Sequence, residues 1–124
     1  MVDTRDGTGG VTAPVGAGCT LRLDLDSTVV PVEATAVSLS VTGIAAQAGY
    51  LTVYPCAAGL PDTSNVNPRA GFPTPNLVVG TPDANRELCI FSLAETHVIV
   101  DLGGWWEPGP DRFRSVVPAP GGYD

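Results

Sequence analysis

The chain has 124 residues, enough for one domain and too few for two. With 44% hydrophobic and only 15% charged residues, intrinsic disorder is excluded. The polar surface must then be largely Thr, Ser, Asn and backbone. The net charge is -7 and the six basic residues are all Arg, which excludes the basic face that nucleic acid needs and disfavours anionic membranes.

Gly 15 and Pro 12 punctuate the chain too densely for long helices. No apolar run reaches the ~18 residues of a bilayer span, so no membrane insertion is expected. The opening MVDTRDGTGG lacks the basic-then-apolar layout of a leader. The expectation is a removed leader, an excised module with Met1 as an added start, or a natural start at Met1 and release without a leader.

In chain order, Leu21, Leu23 and Leu25 alternate with Arg22, Asp24 and Asp26. Val37, Leu39 and Val41 alternate with Ala36, Ser38, Ser40 and Thr42. Leu51 and Val53 alternate with Tyr50, Thr52 and Tyr54. This period of two marks half-buried strands with small hydroxyl residues facing out. Segment 44–48 is helix-tolerant, but glycines bound it to one turn. Segments 76–79 and 97–102 read as strands buried on both faces, and 87–92 as a further strand.

Pro- and Gly-rich turns separate these runs. Six or seven short strands predict an all-β fold: an antiparallel β-sandwich or jelly-roll-like single domain over residues 1–106. Residues 107–124 read as a Pro/Gly-rich, extended C-terminal arm or linker. Phe113, Val116 and Val117 are the candidates to pin it to the body or to a neighbouring unit.

The chain has VDTRDGTGG at 2–10, ATAVSLSV at 34–41, AGYLTVYPC at 48–56, SNVN at 64–67, TPNLVV at 74–79, ELCIFS at 87–92 and THVIVDLGGWW at 96–106. This ordered series resembles a repeat domain of secreted surface proteins of bacteria, mainly actinobacteria. Each block alone is weak; their order and spacing make the signal. RFRSVVPAP at 112–120 is similar to the joint between units of that family, so the chain reads as one unit cut at the joint. Ser38 and Ser40 flank a position where the family has Asn, Pro68 replaces an aromatic, and Trp106 is the final aromatic. The resemblance implies an extracellular, non-catalytic β module that accompanies enzymes or adhesins.

Similar units carry both Cys56 and Cys89, which are read here as a structural disulfide; the alternative is two buried free thiols. Cys19, in the lead-in GAGC, is then left over, either free and partly buried or bridging to another chain. Asp101 interrupts an apolar strand, and a half-buried carboxylate needs a partner. Arg5 is the candidate, through a two-bonded ion pair. The rival is a calcium site from Asp3, Asp6 and Asp101, against which stands the missing DxDxDG spacing. No metal and no cofactor are expected.

His97, Asp101 and Ser92 hold the residue types of a nucleophilic triad. Strand residues at i and i+4 are about 13 Å apart, too far for the bond that orients a catalytic His. A chance pair among Glu33, Glu87, Glu95 and Glu107 would be needed for glycoside hydrolysis. Trp105, Trp106, Tyr50 and Tyr54, with Phe72, are candidates for ligand or partner contact, including a sugar-stacking platform. Asn65, Asn67 and Asn76 are expected to satisfy loop backbone.

The expected function is therefore a structural or adhesive β module, not an enzyme, displayed on a bacterial cell surface or on a phage virion as a decoration or fibre component. Its expected partners are copies of itself or neighbouring modules. The alternative is a carbohydrate-binding module that takes a surface glycan on exposed aromatic residues.

Overall fold

The computed structural model describes residues 1–110 and 112–116. Two antiparallel sheets pack together as an all-β sandwich. The first sheet runs β1 (Val2–Asp3), β7 (Thr96–Trp106), β3 (Ala36–Ala45) and β5 (Thr74–Gly80) in that order, and β8 (Phe113–Ser115) also pairs with β7. The second sheet runs β2 (Cys19–Asp24), β6 (Glu87–Ser92) and β4 (Leu51–Pro55).

The inward residues of both sheets make one core, in which Leu23, Val37, Leu39, Leu51, Leu88, Ile90, Val98 and Val100 are fully or almost fully buried. Each such side chain contributes about 1.5–3 kcal/mol by leaving water. The alternation read in β2 and β3 produces this: Leu21 and Leu23 point in beside exposed Thr20, Arg22 and Asp24.

β2 stops where Asp24 turns the chain. Its carboxylate accepts from the Asp26 N–H and the Ser27 hydroxyl, opening a 3-10 turn at Leu25–Ser27. Leu25 is buried from this turn rather than from the strand. In the same way, segment 44–48 forms no helix: β3 runs on through Ala45.

Three expectations about burial are corrected. Thr52 and Tyr54, read as outward, are buried. The connection after β4 returns along it, with the Thr52 hydroxyl bonded to the Thr63 carbonyl and Leu51 paired to Val66. Segment 76–79, read as buried on both faces, is an edge strand with Leu77 and Val79 at 68% and 60% exposure. In β7 only one face is fully buried: His97 and Ile99 are half-buried and Asp101 is exposed. The physical reason is common to the last two: among the described residues nothing covers Leu77, Val79 or Asp101 on the outer face of the first sheet, although Ser38 on that face, also read as outward, is buried.

β3 and β7 pair over almost their whole lengths, with one irregularity. Leu39 faces Leu102 and Ser38 faces Gly104, so Gly103 is the extra residue of a bulge. The chain then continues from β7 through Pro108, Gly109 and Pro110 back to β8, where Phe113 lies opposite Trp106 and Ser115 opposite Gly104. The arm thus docks in cis over residues 112–116, whereas Val117 lies outside the described residues.

Candidate interaction surfaces

The N-terminal DTRDG segment folds on itself. Arg5 donates Nε and Nη2 to the two oxygens of Asp3, at 3.0 and 2.8 Å. This guanidinium holds the Asp3 carboxyl well down, at about 2. Asp6 accepts from the Thr8 N–H and hydroxyl, and these bonds lower it too. The expected Arg5–Asp101 pair is therefore not the one formed. Asp101 is exposed opposite Ser40 and needs no buried partner, while Asp3 sits two residues from Arg5 and takes both its donors. The same bonds occupy the carboxylates of Asp3 and Asp6 that the calcium reading required.

Between them lies Thr4, fully buried, which the sequence reading passed over. Its hydroxyl accepts from the Val98 N–H at 2.9 Å and meets His97 Nδ1 at 2.9 Å. The hydroxyl has one proton and two lone pairs, so it can take the Val98 N–H and still pair with Nδ1, as donor or acceptor according to the ring's tautomer. The available signal was the period of two: Val2 and Thr4 alternate with Asp3 and Arg5. Ser92 is buried and bonds to Ala94 and Thr96, so the residue types of a triad are engaged separately. A hollow of about 830 Å³ opens beside His97, Glu95, Gln47 and Leu93.

Cys56 and Cys89 form the disulfide, joining the end of β4 to β6 with Cα atoms 5.0 Å apart. Cys19 is a free thiol and is exposed rather than partly buried. Next to the disulfide, Asp83 accepts from the N–H groups of Glu87, Ala57 and Asn85. These donors, Glu87 first, lower its carboxyl. Cys56, Asp83 and Glu87 lie within 4.8 Å of one another. The sulfur is in a disulfide and Glu87 pairs with Arg22, so the group is a clasp across the β5–β6 turn.

The candidate aromatics fall in different sheets. Tyr54 is buried, and Tyr50, just before β4, packs on Phe91 with centroids 5.9 Å apart. Trp105 lies partly against the core and donates Nε1 to Glu107. Trp106, on the outer side of β7, meets the Phe113 ring at 4.8 Å. A second hollow, about 330 Å³, is lined by Tyr50, Pro61, Asp62, Thr63 and Ser64. Phe72 is exposed under Arg69. Asn65 and Asn76 satisfy backbone: Asn65 Oδ1 accepts from Val53, and Asn76 bonds the Asn65 carbonyl and the Leu77 N–H.

The arm has a built seat. Gly104 is the reason Phe113 and Arg114 can come so close, because a Cβ there would lie 2.5 Å from Phe113 Cζ and overlap the Arg114 carbonyl. Arg114 reaches Glu107 at 3.8 Å. No family model, curated protein or solved structure matches this chain.

Proposed function

We propose that the chain is a non-catalytic structural or adhesive β module that works by joining copies of itself or neighbouring modules. The observation that carries this reading is the docked arm. β8 is exposed throughout and contributes no side chain to the buried core, yet β7 offers it a shaped seat at Gly104 and Trp106. A strand that does little for the core and has its own seat suits a connector. The exposed Leu77 and Val79, beside Ser38 and Ser40 on the outer face of the first sheet, support the same role.

The reading places the module outside the cytoplasm, on a bacterial surface or a virion. The disulfide is compatible with that. Among the described residues no helix is long and apolar enough to cross a membrane. The series from VDTRDGTGG to THVIVDLGGWW supports membership of the bacterial surface repeat family. Solution mass across a concentration series tests the role: it should rise above that of one chain.

One observation favours a second reading. The hollow at Tyr50 sets an aromatic face beside Asp62, Thr63 and Ser64, the mixture that a sugar ring uses. Titration with soluble bacterial glycans, followed by tyrosine and tryptophan fluorescence, decides it. Binding lost in Tyr50→Ala favours a carbohydrate-binding module.

A further inference from the structure

β8 and β1 lie end to end on one edge of β7. Both run antiparallel to it, and β3 holds the opposite edge. Phe113, Arg114 and Ser115 face Trp106, Trp105 and Gly104, and the Val116 N–H bonds the Gly103 carbonyl. Val2 and Asp3 then face Val100 and Ile99. The two strands share a single lane, but they are held differently. β1 carries buried Val2 and leads into fully buried Thr4, whereas the residues of β8 are all exposed.

We propose that the Gly104–Trp106 edge of β7 is an exchangeable strand-acceptor site, filled in cis by β8 and in trans by the same segment of a second copy. This rests on the joining role proposed above. The contacts are the same in both states: the ladder, the Phe113 ring on Trp106 and the backbone of Arg114 over Gly104. The core is untouched, because β8 buries nothing in it.

The hinge lies at Pro108, Gly109 and Pro110, between β7 and β8. Gly109 sits at φ 104°, a backbone state that most residues avoid. Glycine takes either sign of φ at little cost, so the chain can swing open at this position. Residues 107–112 span at most about 20 Å when extended, so the two copies must meet near Trp106. Reciprocal exchange fills both acceptor sites and closes a two-fold pair.

The test uses the full chain and a variant lacking residues 108–111. Glu107 and Arg112 face each other in the ladder, so joining them directly removes the cis turn. In a mixture of isotope-labelled and unlabelled variant, the expected result is twice the mass of one chain and nuclear Overhauser contacts between Phe113 and Trp106 of different chains. In the full-length chain the same interchain contacts should grow with concentration. A variant that is a monomer and has lost the Phe113–Trp106 contact overturns the proposal. A full-length chain that associates while this contact stays within each chain overturns exchange alone and leaves the joining role standing. A full-length chain that is monomeric at every concentration removes both.

Discussion

The hydroxyl of Thr4 meets Nδ1 of His97 at 2.9 Å, although 93 positions of sequence separate them. The same oxygen accepts the Val98 N–H, so one buried side chain fastens the N-terminal segment to the central strand of the sheet. Thr4→Val keeps the shape and removes the acceptor. A buried N–H left unpaired costs about 1–3 kcal/mol. Thermal unfolding of the variant should therefore occur several degrees lower, and Thr4→Ser should restore most of the loss. An unchanged midpoint for Thr4→Val would contradict the assignment.

Arg86 plays the same part for residues 25–31. Its backbone is at φ 62°, and its guanidinium donates to Asp26 and to the carbonyls of Leu25, Val30 and Pro31. Arg86→Gly suits the backbone and loses every one of these bonds. With several charge-assisted bonds gone, the expected cost is about 2–3 kcal/mol. Hydrogen exchange over residues 25–35 should speed up before the rest of the domain. If those amides keep their protection, the clamp is not what holds the loop.

The disulfide closes a loop of moderate length, which stabilises by about 3–4 kcal/mol on the chain-entropy account. Reduction and alkylation should add two labels beyond the one on Cys19 and lower the unfolding midpoint. A mass showing three labels without any reductant would mean that Cys56 and Cys89 are free.

Acid should loosen the N-terminal turn. Asp3 is held at about 2 by Arg5, below its ordinary value. In the unfolded chain it therefore takes up its proton first as pH falls. Its contribution is complete above the ordinary carboxylate value of about 3.9 and is lost as pH falls towards 2. The slope of melting temperature against pH in that window should flatten in Asp3→Asn. An identical slope would place the acid sensitivity elsewhere, with Asp83 the next candidate because its carboxyl is also lowered.

The strand pattern was legible where one face is buried and the other wet. Leu21 and Leu23, and Val37, Leu39 and Val41, point inward as their alternation requires. Alternation does not reveal what lies over the second face. Thr52 is buried where a loop returns along β4 and takes its hydroxyl bond, and Leu77 is exposed because none of the described residues lies over it. Both outcomes depend on distant chain. The Arg5 pairing failed for a local reason: Asp3, two residues away, offers both oxygens with a short loop to close. Thr4 was readable from its place between Asp3 and Arg5, yet a lone Thr just after a two-residue strand gives little periodic signal.

In the proposed role the arm joins copies of this module. The decisive comparison is light scattering of the full chain beside the Phe113→Ser, Val116→Ser variant over the same concentration series. The full chain should gain mass with concentration and the variant should not, while both unfold cooperatively. Equal masses for the two at every concentration would contradict it.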